Sequence, residues 1–387
     1  MKVAFLTGSL SRQAGGFFPI LQRLSAEITD QAWDVEAFGV NDPDYEVDRV
    51  GWRCSHTTVC QALGPHRLQY APTMGRELTR FDPELVHLHG LWMGVSAVNH
   101  RWHTKTGRPY LISAHGMLDR WAVGHQRWKK RLVGWLYENR NLRDAACLHG
   151  LSVQEVEDYR RYGLRNPVAV IPNGVDLPAE GAITQPPPWQ GTILDGARVL
   201  LFLGRLHAKK GLLELLEGWR RSGAGRRDWR LMVAGWDDGG HQAALAHAIT
   251  EKQLSGEVRL LGPQFGDAKA ACLAHAHAFI LPSHSEGLPV AVLEAWAHRL
   301  PAILTPACNL PSGFAQDAAI RIATEPDAIA EGLETLFAMS DAARAEMGQR
   351  GRKLVETSFS WPAITEQMIA TYRWMLQGGA PPACVVV

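Results

Sequence analysis

A pair of cations follows a short apolar run in the second half of the chain. The segment GRLHAKKG at residues 204–211 lies directly after the run VLLFL and before LLELLEGW, which has the composition of a helix. The guanidinium of Arg205 offers a planar fork of donors and the ammonium of Lys210 a point charge, so together they can neutralise a diphosphate and stabilise it as a leaving group. The alternative is a solvated basic loop. We predict an anion site after this strand.

Two glutamates lie in the segment SEGLPVAVLEAW, which follows the apolar run FIL. Pro289 has its φ angle preset for a first helical turn, so we predict that a helix begins there. Its free N–H groups would face Gly287 and Leu288 and bind an anion. Glu294, about one and a half turns into the helix, can point to the same side as Glu286. We interpret the two carboxylates as acceptors for sugar hydroxyls; the alternative is a helix-dipole carboxylate and an exposed helix glutamate.

The first half of the chain contributes a glycine pair and a histidine. Gly15 and Gly16 follow the first apolar run, KVAFLT, and His115 follows the run YLISA. A histidine at a strand end can act on a substrate or bond to the backbone, and both interpretations of His115 stay open. His89, at the end of LVHLH, could line an acceptor cleft, but we interpret it as structural.

A basic aromatic segment spans residues 120–143, with the sequence RWAVGHQRWKKRLVGWLYENRNLR. Its apolar side chains recur with helical spacing and its cations fall beside them; the apolar stripe is Trp128, Leu132, Trp135 and Leu136, and the cations are Arg127, Lys130 and Arg131. Such a helix can lie on an anionic membrane surface and deliver a lipid-linked acceptor. The alternative is a domain helix with its tryptophans in the core and its cations solvated.

The spacing of the short apolar runs predicts two α/β domains. Such runs alternate with segments of helix length, which is typical of βαβ units and parallel sheets; they begin at residues 2, 85, 110, 168, 199, 230, 258, 279 and 302. The stretch PAEGAITQPPPWQG favours a linker between the domains. We place an N-terminal domain at residues 1–177, the linker at 178–195 and a C-terminal domain at 196–361. Ligands of such sheets bind outside the carboxyl ends of the strands, so we expect a cleft where the two domains face one another.

Composition excludes several classes of protein. The 387 residues are 46% hydrophobic and 20% charged, which is typical of a folded globular chain. The formal charge of +1 gives no overall field that would attract nucleic acid. We expect no signal peptide and no membrane-spanning segment, and therefore a cytoplasmic protein, with peripheral attachment to the inner face of the plasma membrane as the alternative. The dinucleotide fingerprint GxGxxG and the GK[ST] ending of a P-loop are missing from the sequence. Their absence disfavours nicotinamide chemistry and P-loop nucleotide chemistry.

The cysteines and the aspartates give no metal site. The six cysteines include no CxxC and no Cys/His spacing typical of zinc, so we expect reduced, buried thiols. Asp42 and Asp44 match a DxD pattern, but they lie in a proline-bearing loop, and we interpret the match as chance. We predict that the protein needs neither a metal nor another cofactor.

The motifs together resemble the retaining glycosyltransferases of family 4, which have the GT-B fold. The resemblance is carried by GRLxxxKG, by the E-x7-E spacing of Glu286 and Glu294, and by IPNGVD at residues 171–176. It extends over nearly the whole chain, because Gly15-Gly16, HGMLDRW at 115–121 and FSW at 359–361 occur in the expected order. It implies two Rossmann-like domains facing across a cleft, with a final helix at 362–380 joined to the N-terminal domain.

The resemblance also implies roles for single residues. Arg205 and Lys210 match positions that hold the donor diphosphate, Glu286 matches the contact to the donor sugar, and Glu294 matches the contact to the ribose hydroxyls. Gly287, Leu288 and Pro289 would form the loop whose backbone N–H groups approach sugar and phosphate. Gly15 and Gly16 match the loop that closes over the diphosphate, and His115 matches a histidine near the transferred sugar.

The implied activity is transfer of a hexose, with retention, from a nucleotide-diphosphate sugar to a hydroxyl of a glycan or lipid-linked oligosaccharide in cell-surface polysaccharide biosynthesis. UDP is the preferred nucleotide on family frequency. The alternatives are a nucleotide-sugar epimerase or glycogen-type phosphorylase of the same architecture, and an inactive nucleotide- or glycan-binding protein.

Overall fold

The short apolar runs form the strands of two separate sheets, one in each of two α/β units. Unit 1 comprises Met1–Gly174 and Trp361–Val387, and unit 2 comprises Val175–Ser360. The predicted fold class, α/β with two Rossmann-like domains, is confirmed. The computed structural model describes residues 1–119, 123, 127–179, 185–194, 196–223 and 228–387.

The sheet of unit 1 has the strand order β14-β7-β6-β5-β4-β1-β2-β3 among the described residues, and only β14 is antiparallel to its neighbour. Its strands are β1 (Lys2–Ser9), β2 (Asp34–Val40), β3 (His56–Cys60), β4 (Leu85–His89), β5 (Tyr110–Ser113), β6 (Cys147–Gly150), β7 (Val168–Val170) and β14 (Val385–Val386). Helices cover both faces, as a parallel sheet requires.

The helices of unit 1 follow the strands in βα order and close with the C-terminal helix. They are α1 (Phe18–Asp30), α2 (Tyr45–Asp48), α3 (Met74–Phe81), α4 (Gly94–Thr106), α5 (Arg127–Val133), α6 (Asn139–Asp144), α7 (Val153–Tyr162) and α15 (Trp361–Gln377), with a π-helical turn at Gly134–Glu138 between α5 and α6. Alternate residues of β1 enter two different cores: Phe5 packs with α1 and α15, and Leu6 with α3 and α4.

Unit 2 has a parallel sheet of order β10-β9-β8-β11-β12-β13 in its described part. Its strands are β8 (Arg198–Leu203), β9 (Trp229–Ala234), β10 (Val258–Gly262), β11 (Ala278–Leu281), β12 (Ala302–Leu304) and β13 (Ala319–Arg321). Its helices are α8 (Leu212–Arg221), α9 (His241–Glu251), α10 (Gly266–His275), α11 (Val290–Ala297), α12 (Pro311–Ala315), α13 (Pro326–Ala338) and α14 (Asp341–Ser358).

The structure changes unit between Gly174 and Val175 and returns to unit 1 at Trp361. The predicted linker at residues 178–195 therefore falls within unit 2. Trp189 from this stretch is only 4% exposed and packs in the core of unit 2. Residues 180–184 and 195 of the stretch lie outside the described residues. Among the helices that are described, none has the length and apolar character needed to cross a membrane.

Register brings polar residues together at the carboxyl edge of the unit 1 sheet. Thr7 on β1 pairs with His89 on β4, and His89 pairs with Ser113 on β5. Ser113 in turn pairs with His149 on β6. Directly paired residues of neighbouring strands place their side chains on the same face of the sheet. This row is the polar part of unit 1 where ligands of such sheets bind.

Candidate functional site

A buried ion pair links the loops that follow β8 and β11 in unit 2. The Nζ of Lys210 lies 2.5 Å from Oε1 of Glu286, and the two side chains are 11% and 10% exposed. The Ser283 hydroxyl also donates to Oε1 of Glu286, at 2.5 Å. Two residues predicted separately to contact the diphosphate and the sugar are therefore in direct contact with each other.

Glycine at position 211 allows the two loops to approach. Lys210 ends a 3₁₀ turn, Ala208–Lys210, and Gly211 follows with φ +68°. A Cβ at Gly211 would lie 2.2 Å from the carbonyl oxygen of Pro282, in the loop that carries Glu286. Only glycine fits such a left-handed position against another backbone. The glycine of the GRLxxxKG segment thus sets the distance between the cation and the carboxylate.

Asn309, in the loop after β12, holds the backbone around Glu286. Its Nδ2 donates to the carbonyl oxygens of Glu286 and Gly287 at 2.6 and 3.3 Å, and the Glu286 N–H donates to Ala307 at 3.0 Å. Asn309 has φ +55° and caps the turn Pro306–Cys308. The sequence analysis missed this residue, although asparagine is one of the few residues that tolerate a left-handed position.

Arg205 lies on the surface at the end of β8. Its guanidinium pairs with Asp238 at 2.8 Å, and the two side chains are 46% and 40% exposed. The backbone sets this pairing, because the Asp238 N–H donates to Leu206 O at 3.1 Å. An exposed pair of this kind contributes little to stability. Arg205 can therefore exchange Asp238 for a phosphate at little cost.

The predicted start of the helix at Pro289 is wrong by one residue. Helix α11 begins at Val290, and Pro289 is its N-cap residue with ψ 95°, which is extended. Gly287 is exposed, and Leu288 is half-buried. Glu294, inside α11, pairs at 2.6 Å with Lys269 of α10. The two glutamates thus bind different lysines, and the sequence analysis did not identify Lys269.

An exposed aromatic pair stands at the neighbouring strand ends of unit 2. Trp236 follows β9 and Phe265 follows β10; their ring centroids are 6.0 Å apart with the planes tilted by 29°. They are 44% and 66% exposed. Open aromatic faces stack on heterocyclic bases. The sequence analysis missed both residues, because neither belongs to a periodic pattern.

In unit 1 the glycine pair and His115 are neighbours. Gly15 has φ +77°, and both Gly15 and Gly16 are exposed. The next residue, Phe17, stacks on the His115 ring with centroids 4.6 Å apart and planes 5° from parallel. The structure therefore brings together these three predicted site residues of unit 1.

Asp42 anchors the loop that carries the glycines. It is 6% exposed, and its carboxylate accepts hydrogen bonds from Ser9 and Ser11, both at 2.7 Å. Asp44 binds the same loop, accepting from Gln13 Nε2 at 2.5 Å. The DxD match therefore has a structural role in the loop. Across the described part of the chain, no three His, Cys, Asp or Glu side chains group as a metal site requires.

A buried hydrogen-bonded chain crosses unit 1 behind this loop. Tyr372 of α15 contacts His87 Nδ1, His87 Nε2 contacts Ser113 Oγ, and Ser113 Oγ contacts His149 Nδ1, each at 2.6 Å. His149 Nε2 lies 2.7 Å from the carbonyl oxygen of Ile171. A carbonyl only accepts, so His149 must carry its proton on Nε2. Ser113 then donates to His149, His87 donates from Nε2 to Ser113, and Tyr372 donates to His87.

His89 and His115 form a second contact beside this chain. His89 Nδ1 lies 3.2 Å from His115 Nε2, and the rings stack with centroids 5.4 Å apart. One nitrogen of His115 is thus engaged by protein, which leaves Nδ1 for a ligand. His89 Nε2 and Thr7 Oγ1 are buried without a hydrogen-bond partner among the described residues. The sequence analysis interpreted His89 as structural; here it positions the His115 ring.

Burial keeps these histidines neutral. It lowers the pKa of His149 to about 4 and that of His115 to about 3, and the pKa values of His87 and His89 fall well below 6.5. For two buried carboxyl groups of unit 1 the pKa shift has the opposite direction. Burial raises the pKa of Glu138 and of Glu155 to about 7.

In the described part of the basic aromatic segment, the apolar stripe is exposed to solvent. Helix α5 covers Arg127–Val133, and the apolar stripe is exposed: Trp128 by 69%, Leu132 by 51%, Trp135 by 75% and Leu136 by 52%. The core-helix alternative is therefore wrong for these four side chains. Residues 120–122 and 124–126 of the segment lie outside the described residues.

Comparison with protein families decides the class of the protein. The family model described as "Glycosyl transferases group 1" matches residues 188–354, and the model "Glycosyl transferase 4-like domain" matches residues 15–174. The chain belongs to the group 1, family 4 type glycosyltransferases. The resemblance drawn from the motifs is thereby confirmed.

Curated relatives of this glycosyltransferase act on different substrates. It is 26% identical over 264 residues to a GDP-mannose:cellobiosyl-diphosphopolyprenol alpha-mannosyltransferase of Xanthomonas campestris, which covers 67% of this chain and 62% of the relative. It is 29% identical over 241 residues to a D-inositol 3-phosphate glycosyltransferase of Kineococcus radiotolerans, covering 55% and 53%. The chain thus matches less than two thirds of the length of these relatives.

Solved structures share the GT-B fold along almost the whole chain. Sucrose-phosphate synthase from Thermosynechococcus elongatus matches with a TM-score of 0.75 at 19% identity, over 98% of this chain and 100% of the other. Anabaena HepE in complex with UDP and glucose matches with a TM-score of 0.74 at 17% identity, over 96% and 99%. At these identities the likeness shows the fold.

Replacing Arg205 by alanine tests the anion site of this glycosyltransferase. We expect kcat to fall by about 100-fold, because a cation is removed from a charge that grows as the leaving group departs. The free energy of unfolding should be unchanged, since the Arg205–Asp238 pair is exposed. Arg198→Ala is the matched control, because Arg198 forms a similar pair with Asp341 at the other end of β8. Equal turnover in the two variants, measured at saturating donor, would contradict the assignment.

The neutral histidines predict acid sensitivity in unit 1. Between pH 6.5 and about 4 the unfolded chain binds a proton on His149 that the folded chain does not. Stability therefore falls with falling pH in this window, by about 1.4 kcal/mol per pH unit for one such histidine. Glu138 and Glu155, with raised pKa values, act in the opposite direction below pH 7.

The variant His149→Gln isolates this effect, because the glutamine amide can still donate to Ile171. Relative to wild type, the variant should gain about 2 kcal/mol of stability between pH 7.5 and pH 5. Urea unfolding of the full chain, with hydrogen exchange of the β4–β6 amides to follow unit 1, measures the difference. A stability difference that is the same at both pH values would show that His149 titrates normally.

Proposed function

We propose that the chain transfers a hexose, with retention of anomeric configuration, from a nucleotide-diphosphate sugar to a hydroxyl of a glycan or lipid-linked oligosaccharide in cell-surface polysaccharide biosynthesis. The observation that carries the proposal is the buried Lys210–Glu286 pair next to the exposed Arg205, at the carboxyl edge of the unit 2 sheet. Charged groups at this edge can bind a diphosphate and the sugar attached to it.

The order of the strand ends supports a nucleotide-sugar as the donor. Phe265 and Trp236 follow β10 and β9, Arg205 and Lys210 follow β8, and Glu286 follows β11; these four strands are neighbours in that order. The parts of a nucleotide-sugar would bind in the same order: the base would stack on the aromatic pair, the diphosphate would bind the cations, and the sugar would contact Glu286. Glu294 is our candidate for the ribose hydroxyls. The preference for UDP is a proposal that the solved complexes of Anabaena HepE with UDP support.

The proposed reaction needs positioning and charge rather than a protein nucleophile. The bond between the sugar C1 and the diphosphate oxygen breaks, and a bond from the acceptor oxygen to C1 forms on the same face. The acceptor proton passes to the departing diphosphate oxygen. Arg205 and Lys210 stabilise the charge on the diphosphate, and the loop of Gly287, Leu288 and Pro289 offers it the backbone N–H groups of its glycine and its leucine. Contacts of Gly15, Gly16 and His115 with the donor remain predictions. Since side-chain cations neutralise the diphosphate, we propose that no metal is required.

The exposed aromatic face of α5 supports an acceptor at a membrane. Tryptophan and leucine side chains open to solvent, with Lys129, Lys130 and Arg131 on the same helix, fit the surface of an anionic bilayer. A peripheral position on the inner face of the plasma membrane is therefore part of the proposal.

A donor panel and the product anomer test the function. We expect one nucleotide-sugar to raise Tm in a thermal-shift panel, and an α-linked product from an α-linked donor when the anomeric proton is followed by NMR. Transfer rates should survive excess EDTA. A β-linked product would refute retention, and loss of activity restored by magnesium would refute metal independence. Release of an epimerised nucleotide-sugar, or binding without turnover, would favour the alternative functions.

A further inference from the structure

A basic cavity opens beside the exposed aromatic face of unit 1. It has a volume of about 430 Å³ and is lined by Trp92, Val123, Lys130, Arg131, Asn139 and Tyr162. This volume falls within the range of pockets that bind small molecules, which is about 300–1,000 Å³. The cavity lies at the carboxyl end of β4, since Trp92 follows Gly90 and Leu91 in the chain.

The lining groups suit an anion with several oxygens. Arg131 has no hydrogen bond or ion pair among the described residues, so its planar fork of donors is available. The Nζ of Lys130 lies 5.7 Å from the centroid of the Trp92 ring. Burial lowers the pKa of Lys130, and the charge of Asp119 partly opposes this shift. Two cations thus border one partly desolvated space.

Trp92 adds an unused donor to this space. Its indole Nε1 is buried and has no hydrogen-bond partner in the part of the chain that the structure describes. An indole nitrogen can only donate, and a buried donor without an acceptor is costly. The backbone of Trp92 is also constrained. Its φ angle is +68°, and its backbone N–H donates to the buried carboxylate of Glu138 at 2.7 Å. The ring is therefore held in place before any ligand binds.

Neighbouring apolar groups indicate what carries the anion. Lys130 and Arg131 lie between Trp128 and Leu132 on α5, and the side chains of Trp128, Leu132, Trp135 and Leu136 are all more than half exposed. A ligand with an anionic head in the cavity could therefore lay a hydrocarbon chain along this face. Free phosphate would use the cations and leave the apolar face uncovered.

We infer that the cavity binds the phosphate or diphosphate group of a lipid-anchored acceptor, whose hydrocarbon chain covers the exposed face of α5. This inference rests on the proposed function, because it names the chemical class of the acceptor. The Arg131 fork and the Lys130 ammonium hold the phosphate oxygens, and the Trp92 indole donates to one of them. The sugar part of the acceptor, attached to the phosphate through its anomeric carbon, extends toward the strand ends of unit 1 with the hydroxyl that receives the hexose.

Vesicle binding by the full chain tests the inference. We use phosphatidylcholine vesicles that contain undecaprenyl diphosphate, and compare them with vesicles that contain phosphatidylglycerol at the same surface charge. We expect about tenfold tighter binding to the diphosphate lipid, because the cavity would recognise its head group in addition to the electrostatic attraction to the vesicle surface. Equal binding to both vesicles would mean that the α5 face recognises bilayer charge alone, and would overturn the inference.

Variants separate the cavity from general charge. Arg131→Gln and Trp92→Phe should each remove the preference for the diphosphate lipid, whereas Lys129→Gln should keep it. Lys129 lies on the same helix, with its Nζ over the Trp128 ring at 5.6 Å, and does not line the cavity. Arg131 is exposed, so its variant should fold normally. Equal loss in Arg131→Gln and Lys129→Gln would overturn the inference, as would displacement from the vesicles by micromolar inorganic diphosphate.

Donor hydrolysis in the same variants keeps the two proposals distinguishable. Wild type and Lys129→Gln should hydrolyse nucleotide-sugar at the same rate and keep the lipid preference, whereas Arg131→Gln should lose that preference. A protein that binds the diphosphate lipid through Arg131 but hydrolyses no nucleotide-sugar would contradict the proposed transferase and leave the cavity assignment intact. A protein that hydrolyses nucleotide-sugar but shows no preference for the diphosphate lipid would contradict the cavity assignment alone.

Discussion

The buried contact between Lys210 and Glu286 is the constraint on which the candidate site of unit 2 depends. Taking a lysine and a carboxylate out of water costs free energy that their mutual attraction does not always return. Here the cost is partly offset by the Ser283 hydroxyl, which donates to the same carboxylate oxygen. Gly211 and Asn309 then fix the two backbones that carry the pair. An arrangement of this kind adds little to folding and is best explained by a ligand that needs both charges in place.

In unit 1 the buried polar groups at the carboxyl edge of the sheet are neutral, whereas those in unit 2 are charged. Its polar edge consists of histidines whose burial lowers their pKa values, joined through Ser113 into one hydrogen-bonded chain. Tyr372 ties that chain to the C-terminal helix, and His89 ties His115 to the strand ends. Because each tautomer follows from its neighbour, the row offers fixed donors and acceptors without net charge. Such an edge suits an uncharged hydroxyl acceptor better than an anion.

The sequence predicted the parts of the fold that depend on local composition. Apolar runs such as VLLFL and YLISA form strands within a residue or two of the predicted bounds. The strands β2, β3 and β6 were missed, because DVEAFGV, HTTVC and CLHG mix polar side chains into the run and are buried only through their neighbours. The strands β13 and β14 were missed as well, because they are only three and two residues long. The helix start at Pro289 was misplaced because a preset φ does not fix ψ, which is extended here.

Most partners of the site residues could not be predicted, because they come from distant parts of the chain. Asp238 and Asn309 lie in loops and Lys269 lies on α10, and they contact predicted residues only because the sheet order brings these segments together. The exposure of Trp128 and Trp135 was undecided for another reason: the same helical spacing is produced by a core helix and by a surface helix. What the motifs did identify were residues that the backbone must hold close to one another, such as Lys210 and Gly211.

The double variant Lys210→Met/Glu286→Leu tests most directly whether the buried pair serves the donor rather than the fold. Removing either partner alone would leave a buried charge and cost about 3–5 kcal/mol, but replacing both by apolar side chains is often neutral. We therefore expect the double variant to unfold within a few degrees of wild type and to lose the Tm shift that the nucleotide-sugar produces. A double variant that keeps the wild-type donor shift would contradict the account.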